Sequence, residues 1–177
     1  MKAMRRVLAL LWGGLMVASI LGVMAAHAAK RRTLPIENPD ADEIRISAIF
    51  GPMYFHSTAT SFRGGAVDCW YGGGAVDLRD AVLDPAGSRL QVRAVFGGGQ
   101  IVVPESWRIT SKVRGIGGLR DGRPEIERPA DAPHLTIEGI AVFGGFAVTS
   151  ELSEDEVHGL EAALARKAPE QPSGASA

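Results

Sequence analysis

The chain's 177 residues suit one ordinary domain with appendages, and 19 basic against 20 acidic side chains leave a formal charge of −1. This balance gives no hint of a binder of polyanions, which normally needs Lys and Arg clustered on one face, so no nucleic-acid partner is expected. Cys69 is the sole cysteine; that excludes an intramolecular disulfide and a zinc site built on cysteine pairs, and the residue reads as a small buried apolar side chain.

Residues 7–29, VLALLWGGLMVASILGVMAAHAA, contain no Lys, Arg, Asp or Glu. As a helix they would span about 34 Å, enough to cross a hydrocarbon core of about 30 Å. Lys2, Arg5 and Arg6 precede the stretch and Lys30, Arg31 and Arg32 follow it. The rival reading is a cleaved signal peptide, for which Ala26-His27-Ala28 resembles the processing site, but a signal's apolar region runs only about 7 to 15 residues. A retained membrane anchor over residues 1–32 is therefore expected, with lipid as its partner. Three basic residues on each side leave the orientation open.

TLPIENPDAD, the linker assigned to residues 33–42, has two prolines and three acids and too few apolar residues to fold alone. EIRISAIFG then alternates, with Ile44, Ile46, Ala48 and Phe50 on one parity, as a half-buried strand should. LQVRAVFGGG repeats the pattern with Leu90, Val92, Ala94 and Phe96, and LTIEGIAVFGG with Leu135, Ile137, Gly139, Ala141 and Phe143. Each strand ends on an aromatic before glycine. Phe96 and Phe143 are accordingly expected as buried plugs, with a Phe→Ala cost of about 3–5 kcal/mol.

Gly51, Gly72, Gly97, Gly117 and Gly144 follow these strands at spacings of 21, 25, 20 and 27 residues. Self-similarity on that scale indicates stacked supersecondary units, each too small to bury its apolar face alone. The expected fold is all-β, a β-solenoid of about five short coils over residues 43–150. Glycine suits the corners through its access to positive φ and its tolerance of close backbone approach. In the fourth copy, ITSKVRGIGG, Ile116 shares a parity with Lys112 and Arg114, which predicts a bulge or a weak strand.

Over SELSEDEVHGLEAALARK, Ser153 and Glu156 form a capping box, and Val157, Leu160 and Leu164 recur on one helical face. A helix near 154–167 is expected within a capping segment 151–168, covering one end of the solenoid or docking a partner. Residues 169–177 read as a disordered tail.

The glycine clusters do not read as phosphate loops. None supplies the Gly-Lys-Ser/Thr of a Walker loop, and each runs into a short strand where a dinucleotide fingerprint needs a long helix. For glycosidase-type chemistry the paired carboxylates to consider are Asp68 and Asp77, with Asp80 and Asp84 following, but Asp beside glycine corners commonly binds local N–H groups. His56, His134 and His158 are far apart and His27 lies in the membrane stretch, so no metal set is assigned. Ser61 and Arg63 in SFRGG come with no identifiable base. No catalytic, cofactor-binding or metal-binding residue is expected.

The order of aromatic-Gly-Gly, a short apolar strand, VPESW at 103–107, a strand into GIGG and then IEGIAVFGGFAV resembles the C-terminal domain of the LiaF-like cell-wall-active antibiotics response proteins, over roughly residues 44–150. Members join transmembrane helices to this β-rich domain and regulate envelope-stress two-component signalling. The resemblance implies a bacterial, single-pass, non-enzymatic regulator with a sensor kinase or another envelope protein as partner. It also implies a cytoplasmic β domain. This chain has one candidate membrane helix where those regulators have several. Two alternatives stand beside this reading: a β-helical hydrolase or lyase acting on a cell-envelope polymer, and a self-associating structural module.

Overall fold

Strand and glycine alternate through the chain to give ten short strands: β1 (Glu43–Ile49), β2 (Pro52–His56), β3 (Gly64–Trp70), β4 (Gly73–Asp77), β5 (Ser88–Val95), β6 (Gly98–Val102), β7 (Arg108–Arg114), β8 (Gly117–Asp121), β9 (His134–Val142) and β10 (Gly144–Thr149). They come from a computed structural model that describes residues 38–152 together with 157 and 158. The chain divides into two units, Met1–Pro35 and Ile36–Ala177. The expected anchor over 1–32, the linker before residue 38 and the tail 169–177 lie outside the described residues. So does the expected C-terminal helix, apart from Val157 and His158, which are helical. Among the described residues no helix is long and apolar enough to cross a membrane.

The described body is all-β, in two five-stranded sheets, every pairing parallel. Odd-numbered strands form one sheet and even-numbered strands the other, so each successive pair is a unit giving one strand to each sheet. The sheets run β1-β3-β5-β9-β7 and β2-β4-β6-β10-β8. The fifth unit is therefore inserted between the third and the fourth. Composition explains the exchange: β9 and β10 bury Leu135, Ile137, Ala141, Phe146 and Val148, whereas β7 exposes Ser111, Lys112 and Arg114. The apolar unit takes the interior slot and the polar one the end, where charged side chains discourage further pairing.

Register stacks like on like across the units. Ile46, Val67 and Val92 form one inward row, Phe55, Val76, Ile101 and Val148 another, all buried. Full burial of side chains this size contributes about 1.5–3 kcal/mol each. Ala48, Cys69, Ala94 and Ala141 make a row of small residues. Cys69 occupies an alanine position, and burial, helped by the Asp68 charge, pushes its thiol pKa up to about 12. The buried-apolar expectation for Cys69 holds.

One expectation is corrected at the corners, and two are narrowed. Phe50, Phe96 and Phe143 are not plugs but point outward and are exposed. Parity counting fails there because each takes a left-handed φ of 50–54°, which ends the strand and turns the side chain away from the core row. The expected close approach is what requires three of the corner glycines: a Cβ on Gly72, Gly97 or Gly144 would stand 2.5, 2.2 or 1.9 Å from the carbonyl oxygen of Gly51, Gly72 or Gly97 in the neighbouring unit, whereas positive φ is found at Gly117, at 143°. The fourth unit has no bulge, since β7 pairs with β9 without interruption from Arg108–His134 to Arg114–Ile140. Its polarity is that of an end strand.

Both ends of the stack are closed locally. The N–H groups of Gly73, Gly98 and Gly145 donate to the corner glycine oxygens of Gly51, Gly72 and Gly97 at 3.2, 3.2 and 3.1 Å. Pro52 holds the same place in the first unit, where no unit precedes among the described residues and no donor is needed. At the other end Arg123, buried, pairs with Asp121 at 2.8 Å and donates to the carbonyls of Pro104 and Trp107. This ties the loop after β8 to the VPESW loop after β6.

Because the corner depends on backbone approach, Gly144→Ala is expected to cost about 3 kcal/mol, as overpacking does. Gly51→Ala, at the same corner of the first unit with nothing within 4 Å of the added carbon, is expected to change stability by less than about 0.5 kcal/mol. Urea denaturation of the two variants beside the parent measures the contrast.

Candidate interaction surface

The aromatic-Gly dipeptide does two jobs at four of the five corners. Its glycine lets units approach, and its aromatic supplies the left-handed residue that swings the chain from one sheet to the other. A non-glycine residue in that conformation costs roughly 1–2 kcal/mol. The cost is offset by stacking: ring centroids of Phe50–Tyr71, Tyr71–Phe96 and Phe96–Phe143 lie 5.3, 5.2 and 4.9 Å apart at interplanar angles of 12–15°. Such pairs contribute about 0.5–1.5 kcal/mol each beyond area burial. The aromatic N–H groups also reach across, Phe50 to Trp70 O, Tyr71 to Val95 O, Phe96 to Val142 O and Phe143 to Ile116 O, at 2.9–3.1 Å.

The result is a ladder on the outer corner, Phe50-Tyr71-Phe96-Phe143, extended by Ile116 in the end unit. Phe50, Phe96, Phe143 and Ile116 are 52, 51, 56 and 68 % exposed. Beside it on the odd-numbered sheet runs a second apolar row, Ile49, Trp70, Val95 and Val142, each half-buried. An apolar band of this continuity marks an interaction site on a protein surface. Ring faces between neighbours in the ladder cover one another, so along its length the edges are what a partner meets.

Charge near the band is uneven. In the next outward row Asp68 and Arg93 neutralise each other, Nε to Oδ1 at 2.6 Å. Arg114 and Arg120 are exposed at the fourth-unit end and form no ion pair among the described residues. The band is thus apolar along its length and basic at one end.

The carboxylates singled out in the sequence do not converge. Asp68 faces outward from β3 on one sheet and Asp77 ends β4 on the other, each with its own arginine. Asp77 is buried; burial alone would raise its pKa, but the Arg79 side chain at 2.8 and 2.9 Å, the Arg79 N–H, the Arg79 charge and that of His56 together hold it below the usual carboxylate range. Asp84 accepts from Ser61 Oγ and the Ala86 N–H, a local turn role. Ser61 therefore meets a carboxylate, not a histidine, and Arg63 lies 3.6 Å from Glu43.

Sequence reading missed one cluster. The β2–β4 register sets His56 beside Asp77, and the imidazole lies 3.4 Å from Asp77 and 3.1 Å from Asp80. The signal was present in the shared strand-end position, once the strands were aligned on their corner glycines. His134 shares a hydrogen bond with Thr110 at 2.8 Å. Among the described residues no group of three or more His, Cys, Asp or Glu is placed to hold a metal ion. His27 lies outside them.

A separate depression of about 420 Å³ lies in the loop after β8, lined among others by Ser106, Ile126, Glu127, Arg128 and Asp131. Arg128 donates to the carbonyls of Glu105, Pro124 and Ile126, which holds the loop in shape. No family model, curated protein or solved structure matches the chain.

Asp77 carries a pH prediction. Its pKa is lowered on folding, so the unfolded state binds more protons in acid, and the ion pair's stabilisation is present at neutral pH and lost as pH falls below about 4. Asp77→Asn is expected to be less stable than the parent at pH 7, with the gap closing toward pH 3. Thermal melts across that range measure it; a gap constant with pH would contradict the assignment.

Proposed function

We propose that the β domain is a five-coil β-solenoid acting as a non-enzymatic regulator or scaffold, held at the cell membrane by a single-pass helix over residues 1–32. Its contacts with other proteins are made by the outer corner. The observation that carries this reading is the exposed aromatic ladder with its flanking apolar row: an apolar band free of unpaired carboxylates suits association, not acid-base chemistry. The order of motifs, similar to that of the LiaF-like proteins, supports a role in the bacterial cell-envelope stress response, with a sensor kinase or another envelope protein as partner. No cofactor or metal enters this reading. The same resemblance favours the cytoplasmic side for the β domain.

A second reading, a hydrolase or lyase acting on an envelope polymer, draws on the 420 Å³ depression, where Glu127 and Asp131 both stand at the surface. Their exposure supplies neither the desolvation nor the charge pairing that would set one carboxyl apart as an acid. The association reading is preferred for that reason.

A tagged full-length chain, solubilised from membranes in mild detergent, is expected to retain a membrane protein that the double variant Phe96→Ser, Phe143→Ser retains at least about tenfold less. Far-ultraviolet circular dichroism checks that the variant keeps its strands. Equal retention by the folded variant would remove the ladder as the contact surface. For the orientation, a Ser173→Cys chain in intact cells is expected to escape an impermeant maleimide until the membrane is broken, and buried Cys69 gives little background; labelling of intact cells would put the domain outside.

A further inference from the structure

Resting on the reading of the outer corner as a contact surface, we propose that its occupant is the C-terminal segment 153–167 of a second copy of this chain, docked as a helix along the ladder. Dimensions select a slender partner. Five units at the parallel-strand spacing make a ladder about 19 Å long. At about 10 Å wide it presents roughly 200 Å², far below the 800 Å² or so that each partner buries in a standard interface between folded surfaces. A single helix of about 13 residues has the matching length at 1.5 Å per residue. The segment 154–167 has 14 residues, with Val157, Leu160 and Leu164 on one face.

Charge sets the direction. The ladder's fourth-unit end carries Arg114 and Arg120 without ion pairs among the described residues, and the segment opens with Glu154, Asp155 and Glu156. The acidic first turn therefore lies at Ile116 and the helix runs toward Phe50. In that register Val157 falls near Phe143, Leu160 opposite Phe96 and Leu164 opposite Tyr71, about 4.8 Å per ladder step against 1.5 Å per helical residue.

Two observations favour a second copy over the same chain. Neither surface is covered where it is described: among the described residues the ladder phenylalanines are more than half exposed, and Val157, the first residue of the stripe, is 38 % exposed. Reach is the second. Thr149 lies six residues beyond Phe143, about 20 Å along the strand, whereas five residue steps from Thr149 to Glu154 span at most about 17 Å. The start of that connection is also tethered, Thr149 Oγ1 to Glu151 O at 3.0 Å and Ser150 Oγ to Glu105 Oε1 at 3.4 Å. A segment that cannot lay its first turn on its own ladder can do so on a neighbour's, and the reciprocal contact closes a two-fold dimer.

The test is cysteine pairing in native membranes, with two differently tagged full-length chains expressed together, one Phe96→Cys and the other Leu160→Cys. Mild oxidation is expected to give a dimer carrying both tags, at least about tenfold more than the mismatched pair Phe50→Cys with Leu160→Cys. Phe143→Cys with Val157→Cys provides a second matched pair should Phe96→Cys disturb the corner, and Cys69 remaining unlabelled reports that each variant is folded. A link found only within a single chain carrying both substitutions would overturn the proposal. So would capture of Phe96→Cys by a different protein with no dimer carrying both tags, although the contact-surface reading would then stand. Free labelling of folded Phe96→Cys in native membranes would overturn both.

Discussion

At the corner between the two sheets each unit passes its neighbour at backbone distance, and the arrangement of the whole body depends on that approach. A corner carbonyl stands about 2 Å from where a neighbouring glycine's Cβ would be, from Gly72 through Gly97 and Gly144 to Gly117. With those positions held at the strand spacing, both sheets share one pitch, and the inward rows fall opposite one another without adjustment. The aromatic before each glycine is a dependent feature. Once the corners stack at strand spacing, the rings that precede them must stack as well, and their attraction offsets the left-handed conformation that put them there.

That constraint also accounts for the uneven treatment of polar groups. On the outward face of β3 and β5, Asp68 and Arg93 can meet across adjacent units because the register makes them partners. At the strand ends, where the chain leaves the ladder of hydrogen bonds, Asp77 and Asp121 each fold back onto the arginine two residues on. The second motif is the more buried on its arginine side, and it joins two loops that would otherwise leave the fourth unit loosely attached. Local Asp-x-Arg pairs thus take over where strand pairing stops.

Much of this was legible in the sequence. Alternation placed Ile44, Ile46, Leu90, Val92, Leu135 and Ile137 in the core, and the spacing of Gly51, Gly72, Gly97, Gly117 and Gly144 gave the number of units. Alternation failed one residue beyond each strand, because parity holds only while the backbone stays extended, and Phe50, Phe96 and Phe143 have already left that state. Sequence order failed at the fourth and fifth units. Nothing local distinguishes a unit stacked next from a unit stacked last, although Lys112 and Arg114 on β7 marked that strand as unsuited to the interior. The candidate surface was hidden by the same parity error, since the residues that form it had been assigned inward.

The insertion of the fifth unit between the third and the fourth bears on how the chain is completed during synthesis. The first three units can assemble in the order in which they leave the ribosome, but the fourth emerges before the neighbour it finally pairs with exists. It either waits unpaired or occupies β5 and β6 first and is later displaced. At about 5–20 residues per second, the 27 residues from Gly117 to Gly144 leave that neighbour absent for roughly 1 to 5 s. For this interval the edge of the third unit, with Leu90, Val92 and Ile101 behind it, is open on the nascent chain. The last strands to be translated close the middle of the array, so a ribosome that stalls before them leaves two unsealed edges facing each other.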